Sequence, residues 1–535
     1  MSYNNPNRQR KPVLSSLETE LNHSSVSQKM PTKTITLSRI KNVLLILSLL
    51  LILYLAFYRP SIDDPPIPDS HAAPTVSSSS TTRRRHLLFA VASSSGSWPR
   101  RHSYIRLWYS PDNSTRAIAF LDRAAPADPT LPPIAISADT SRFRYTFPKG
   151  LRSAIRVARV VKEVVERVGE KSGVRWFVFG DDDTVFFVDN LVKTLSKFDH
   201  DRWYYVGSNS ESYEQNVKHS FDMAFGGGGF AISHSLARVL ARVLDSCLVR
   251  YAHLYGSDSR IFSCLVELGV GLTHEPGFHQ LDMRGDMFGM LTAHPLSPLV
   301  SLHHVDAVDP IFPNMNRTQA LEHLFKAVNV DPARILQQTV CYDHSNQLTV
   351  SVAWGYAIQV YEGNQLLPDL LSLQRTFTPW RRGSNVDAHF MFNMREYPRD
   401  SCKRPAVFFL ESVVTDKSGI QSNYVKHAVG NCNRANAVKM LEKISVFSQK
   451  LELDVEEMKS PRRQCCEISP FFNESMFWTC PWNSSSIRKN KLKVVKHYQN
   501  QEGANNKSNR GRYIRMVMSE AVSVQTNGNH FTFSG

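Results

Sequence analysis

The chain has 535 residues, too many for one ordinary domain, and its 42% hydrophobic and 10% aromatic content excludes an intrinsically disordered protein. The formal net charge of +15 comes from scattered basic residues, not from a basic stripe interleaved with aromatics, which argues against nucleic acid as a partner.

Residues 1–41 are polar and basic, the pattern of a cytosolic tail. From Asn42 to Tyr58 there is no charge and leucine dominates, which predicts a short membrane-spanning helix suited to a thin bilayer. Lys29, Lys33, Arg39 and Lys41 precede this stretch, whereas Arg59 follows it together with Asp63, Asp64 and Asp69. The positive-inside rule then leaves the N-terminus cytosolic and the remainder lumenal. With no small-x-small cleavage site in "AFYRPS", the segment reads as a type II signal anchor. All eight cysteines (Cys247, Cys264, Cys341, Cys402, Cys432, Cys465, Cys466 and Cys480) fall on the lumenal side, where disulfides form. Sequons at Asn113, Asn316, Asn473, Asn483 and Asn506 share that side.

Residues 59–85 are rich in proline and serine and predict an extended stem. A folded domain is expected over 86–325. It opens with the strand "LLFAVASS", and "LPPIAISAD" is a second strand. A helix follows, with Leu151, Ile155, Ala158, Val165 and Val168 on its apolar face and Arg152, Arg159, Lys162, Glu163 and Glu166 largely opposite. "RWFVFG" is a third strand. This rhythm predicts an α/β domain with a largely parallel sheet, which binds ligands beyond the carboxyl ends of its strands.

Asp181, Asp182 and Asp183 stand at such an end, between two apolar runs. Three adjacent carboxylates repel one another. A polar turn that caps backbone amides would accommodate them, and so would a bound cation. An EF-hand is excluded because Val185 occupies a ligand position. An aspartyl-phosphatase pattern matches Asp181, Asp183 and Val185 but lacks the later acidic motif. A site for Mg2+ or Mn2+ and a diphosphate remains.

Further along, Gly226–Gly229 lie in an apolar context, where glycines permit a sharp bend or a close approach to a ligand. Asp258, in "LYGSDSR", precedes a helix and is either its N-cap or a general base, with Cys247 and Cys264 flanking it as a candidate disulfide. "THEPGFHQLD" cannot be a zinc-protease helix, because Pro276 and Gly277 interrupt it. His303 and His304 end a predicted strand and offer one imidazole to a metal. Beyond residue 325, "TVSVAWGYAIQVY" alternates without a break and predicts one half-buried strand; "AVFFLESV" is another. Residues 326–482 therefore read as a smaller, β-rich, disulfide-stapled domain, and 483–535 as a basic, mobile tail.

The ordered set "WFVFGDDDTVFFVDNL", "YYVGSNSES", "FGGGGFAIS", "LYGSDSR", "ELGV" with "GFHQLD", and "PLVSLHHVDAVDPIFPNM" resembles the fringe-related branch of glycosyltransferase family 31, in particular its plant fringe-like proteins. The resemblance implies a Rossmann-like, GT-A type domain with a mixed sheet. It also implies an inverting hexosyl- or N-acetylhexosaminyltransferase of the Golgi membrane, using a UDP-sugar donor, Mn2+ (or Mg2+) and a glycan or glycoprotein acceptor, with a β1,3 linkage. Carried over residue by residue, Asp183 is the principal metal ligand with His304. Asp181 and Asp182 lie beside the nucleotide sugar, Gly227 and Gly228 approach it, and Asp258 is the base. A lumenal glycan-binding protein that kept this fold without turnover is the alternative.

Overall fold

In a computed structural model of the protein, residues 45–50, 81–468 and 491–498 are described, apart from 113, 170–171, 382–388, 418, 429, 431 and 464. The chain divides into two compact units, Met1–Val76 and Ser77–Gly535. In the first, residues 45–50 are helical; the rest of the expected span 42–58 and the stem up to residue 80 lie outside the described residues. No helix among the described residues is long and apolar enough to cross a membrane. The sequons at Asn113, Asn473, Asn483 and Asn506, and Cys480, also lie outside them.

The second unit begins with β1 (Leu87–Ala92), α1 (Trp98–Trp108), β2 (Arg116–Leu121), β3 (Ile134–Ile136), α2 (Ser153–Arg167) and β4 (Trp176–Asp181). β5 (Val185–Phe186), α3 (Val188–Leu195), β6 (Tyr205–Gly207), β7 (Phe230–Ser233) and α4 (His234–Arg250) follow. Next come α5 (Ser257–Glu267), β8 (Leu272–His274), β9 (Phe278–His279), β10 (Met283–Gly285) and β11 (Ser301–Leu302). Seven strands form one sheet in the order β3-β2-β1-β4-β7-β6-β8. β1 to β4 run parallel, β7 lies antiparallel between β4 and β6, and β6 pairs parallel with β8. The sheet is thus mixed. β2, "RAIAFL", has no counterpart among the expected strands and separates β1 from β3.

Both faces of β1 are buried because successive side chains point to opposite sides. Leu88, Ala90 and Ala92 join Phe177 and Phe179 of β4 under α2, α4 and α5. Leu87, Phe89 and Val91 join Trp176 and Val178 in a second core on the other face. On α2, Ile155, Ala158, Val161 and Val164 point inward, but so do Arg159 and Glu163, which were expected outside. They are tolerated because they are paired: Arg159 contacts Glu163 at 3.2 Å and, on α4, Asp245 at 2.8 Å. The Cys247–Cys264 disulfide joins α4 to α5.

α6 (Arg317–Val328) leads into the β-rich region and spans the boundary expected at 325/326. Asn316 caps it, accepting from Gln319 N at 2.9 Å. Then come β12 (Gln338–Asp343), β13 (Leu348–Ala353), β14 (Ala357–Glu362), β15 (Leu373–Gln374), β16 (Phe377–Pro379) and β17 (Met394–Arg395). β18 (Ala406–Asp416), β19 (Gly419–His427), β20 (Leu441–Ser448), β21 (Cys465–Ile468) and β22 (Lys491–Tyr498) complete the chain's strands among the described residues. Eight of these form one sheet in the order β12-β13-β14-β18-β19-β20-β22-β21. β22 falls within the segment expected as a tail. The expected single strand at 349–361 is a hairpin: Gly355, with φ +79°, turns the chain so that Val352 faces Ile358 and Val350 faces Val360. Period-two alternation survives the turn, and for that reason it hides the hairpin in the sequence. Both faces of these strands are buried, not one. Disulfides Cys341–Cys466 and Cys402–Cys432 staple the region.

One core runs without interruption from Phe89 and Trp176 through Leu321, Leu324 and Phe325 of α6 to Val350, Ile358, Phe408 and Ile444. Burying each such side chain contributes about 1.5–3 kcal/mol, so the two sheets are stabilised by the same material.

Candidate functional site

Asp181 ends β4, and Asp182 and Asp183 stand in the turn that leads to β5. Thr184 closes this turn: its N–H donates to Asp181 O at 3.1 Å, and its hydroxyl accepts from Asp181 N at 2.8 Å. The same hydroxyl donates to Gly227 O at 2.7 Å, tying the acidic turn to the glycine run. A short three-stranded sheet, β5-β11-β9, then delivers the histidines. Leu302 of β11 pairs with Val185, so His303, the next residue, arrives beside the carboxylates.

The result is a cluster of Asp181, Asp183 and His303, whose potential ligand atoms all lie within 4.8 Å of one another. His303 Nε2 stands 3.2 Å from Asp183 Oδ1 and 4.0 Å from Asp181 Oδ2. Octahedral ligands at about 2.1 Å from a cation are themselves about 3 Å apart, so this spacing fits Mg2+ or Mn2+. Asp183 is 1% exposed, so its charge needs cationic partners close at hand. The histidine at the carboxylates is therefore His303. His304 turns away, with Nδ1 3.3 Å from Asp282 Oδ1.

The three aspartates have three environments. Asp182 accepts from Ser93 Oγ at 2.7 Å, Ser97 Oγ at 2.6 Å and Arg101 Nη1 at 3.2 Å. It fastens the loop after β1 and the start of α1 to the site, and its oxygens are occupied. Arg101 also reaches Asp183 at 3.3 Å and Asp306 at 2.5 Å. Against its burial, His303 and Arg101 hold the Asp183 carboxyl down at about 2. Asp181 is 41% exposed at its side chain and lines a small cavity. Burial, with Asp183, Asp258 and Asp182 nearby, pushes its carboxyl up to about 7. Burial opposes the charge on His303, but Asp183 and Asp181 raise it to about 9. Of these carboxyls, Asp181 is the one whose surroundings leave it short of positive charge.

The glycine run threads between these groups. A Cβ on Gly227 would lie 2.0 Å from His303 Cε1, and one on Gly226 would lie 2.8 Å from Asp258 Oδ1. Gly228 donates to Gln280 Oε1 at 2.7 Å, and its carbonyl accepts from Ser301 Oγ. Asp258 is not the N-cap of α5, a position held by Gly256; it stands in the first turn and accepts from Ser257 Oγ at 2.8 Å. Asp181 and Asp258 line one small cavity with Gly180, Gly226 and Ser257. A larger cavity of about 370 Å3, between Pro298, Gln338 and Arg463, contains none of these residues.

Arg101, Thr184, Gln280 and Asp306 were not singled out by the sequence. No helix was expected around Arg101, and only the packing of α1 on the acidic turn brings its guanidinium to the carboxylates.

Comparison with known proteins adds three findings. Residues 215–466 match the family described as "Protein of unknown function, DUF604". That match is less than half of the chain. It nevertheless runs through the glycine run, Asp258, both histidines and the β-rich sheet as far as Cys466. A mouse (Mus musculus) beta-1,3-glucosyltransferase is 30% identical over 142 residues, 26% of this chain. The matched part spans about a quarter (27%) of that curated relative. Among solved structures, an active-site mutant of LgtC is 13% identical with a TM-score of 0.28, covering 44% of this chain and 94% of that one, too slight a likeness to equate the folds.

Proposed function

We propose that the chain is an inverting, metal-dependent glycosyltransferase of the fringe-like kind, built on a GT-A type domain. It moves a sugar from a UDP-sugar to a hydroxyl of a glycan or glycoprotein, forming a β1,3 linkage. It acts in the Golgi lumen, anchored by residues 42–58 as a type II protein. The observation that carries this reading is the convergence of Asp181, Asp183 and His303 beyond the end of β4, with Asp258 in the same cavity across Gly226. The partial similarity to a beta-1,3-glucosyltransferase supports it.

Asp181, Asp183 and His303 would hold a divalent cation, which would supply charge to offset the departing diphosphate. Asp258 accepts the proton of the acceptor hydroxyl while that oxygen bonds to the anomeric carbon. The bond from that carbon to the diphosphate breaks on the opposite face, and its electron pair leaves with the phosphate oxygen. Gly226–Gly229 let the donor lie against bare backbone.

Tyr213, Phe221 and Tyr255, which are 44%, 40% and 42% exposed, form the acceptor wall. Tyr255 connects toward the base through His219, whose ring lies 6.0 Å from Tyr255 and 5.9 Å from Phe225, next to Gly226, and Tyr213 packs on Phe221 at 5.5 Å. Exposed aromatic faces beside hydrogen-bonding groups suit the apolar faces of sugar rings.

One observation favours the alternative, a glycan-binding protein without turnover: Arg101 already brings a fixed positive charge to Asp182 and Asp183. A panel of UDP-sugars offered to the full-length protein with and without Mn2+ separates the two. The expected result is Mn2+-dependent release of UDP from one donor, abolished in Asp183→Ala. In Tyr255→Ala, slow donor hydrolysis should persist while the acceptor KM rises about tenfold, the effect of losing about 1.4 kcal/mol. Sugar binding that ignores Mn2+ and Asp183 would favour the binding protein.

A further inference from the structure

The β-rich region reaches into the candidate metal site through one arm. β16 pairs antiparallel with β10, placing Met283 opposite Pro379 and Arg284 opposite Thr378. Thr376 fastens the same arm, donating to Asp286 O at 2.6 Å and accepting from Gly289 N at 3.0 Å. The residue after β16, Trp380, is thereby laid on His304, with ring centroids 4.2 Å apart and planes 12° from parallel. The Arg284 guanidinium lies 4.2 Å from the Trp380 ring, and its Nε donates to Trp380 O at 2.9 Å.

His304 is in turn packed on His303, with centroids 3.8 Å apart. Consecutive residues in extended chain point to opposite sides. These two rings face each other because His304 has φ +53°, a left-handed conformation that side chains rarely adopt. Such a conformation persists only where the surroundings over-determine it. Here the surroundings are Asp282 at the His304 ring nitrogen and the Trp380 indole on its face. His303, beyond, fits the space left by the missing side chain of Gly227 and faces Asp183.

We propose that Trp380 is a positioning residue of the metal site, holding His304 in its left-handed conformation so that His303 stays directed at Asp183. The β-rich region is then part of the site and not an appendage to it. This rests on the metal reading of Asp181, Asp183 and His303. An indole lost from the stack frees His304 to return to an ordinary backbone conformation, which swings His303 off the carboxylates. Partners that orient a ligating side chain in this way typically govern about 10–100-fold of metal affinity.

The test is Mn2+ binding to the full-length protein, followed by the electron paramagnetic resonance signal of free Mn2+, with a melting curve for each variant. Trp380→Ala is expected to weaken binding at least about tenfold. Trp380→Leu, which keeps apolar bulk without a planar ring, should follow it, and Trp380→Phe should restore most of the affinity. Thr376→Val loosens the arm but keeps the indole, and should cost less affinity than Trp380→Ala. Wild-type affinity in folded Trp380→Ala or Trp380→Leu would overturn the proposal. So would an equal loss in Thr376→Val, which would reduce Trp380 to an anchor of the arm. Wild-type protein without Asp183-dependent Mn2+ binding would overturn the metal reading itself, and this proposal with it.

Discussion

Among individual residues, the site is defined as much by what is missing as by what is present. Gly227 illustrates this: its absent side chain is the space that His303 occupies, 2.0 Å from where a Cβ would stand. Gly227→Ala should therefore displace His303 and reduce Mn2+ affinity and UDP release together, with only a modest fall in melting temperature. Isothermal titration with Mn2+ beside a thermal melt checks it. A variant that melts normally and binds Mn2+ normally would show that His303 is not needed at the carboxylates. The three aspartates make a related point. They are indistinguishable in sequence, yet Asp182 serves the hydroxyls of Ser93 and Ser97 while Asp183 faces His303. Local sequence could say that the turn is acidic, but only its neighbours decide which carboxylate does what.

At the scale of elements, the charges on α2 show how a helical pattern misleads. Arg159 and Glu163 look solvent-facing by period, yet α4 packs over them and supplies Asp245. Against partial burial, the hydrogen bond and charge of Arg159 hold the Asp245 carboxyl below its ordinary value. A depressed folded value means that the pair's stabilisation is complete above the unfolded value and is lost as pH falls through the folded one. Asp245→Asn should lower urea resistance at neutral pH, and the gap to wild type should close as the solution is acidified. A gap of constant size across that range would mean that the charge of Asp245 is not what joins α2 to α4. β13 and β14 repeat the lesson, because one positive-φ glycine, Gly355, turns an apparent single strand into a hairpin.

Considered as a whole, the second unit is organised around a core shared by both of its large sheets. α6 lies on the expected boundary, and the arm carrying Trp380 crosses back to β10. A chain cut after residue 337, just before β12, should fail to form a cooperatively folded body, because Leu321, Leu324 and Phe325 would lose the side chains that cover them. Dye binding to exposed apolar surface and a broad, non-cooperative melt are the expected signs. A sharp melt with Mn2+ binding intact would show instead that the first sheet and its site stand alone.

Taken by itself, the sequence determined the features that are local: the apolar runs of β1 and β4, the acidic turn at a strand end, the unusual glycine run, a helix close to Asp258, and the β-rich character beyond residue 325. Each is set by neighbours along the chain, through period, propensity or turn chemistry. Tertiary structure alone decided which histidine meets the aspartates, why the glycines are glycines, which partners Asp182 and Arg101 take, and that the tryptophan after β16 lies on His304. Those facts depend on pairings such as β5 with β11 and β10 with β16, between segments more than ninety residues apart in the chain. No local pattern encodes such pairings, since they are chosen by the packing of the whole core.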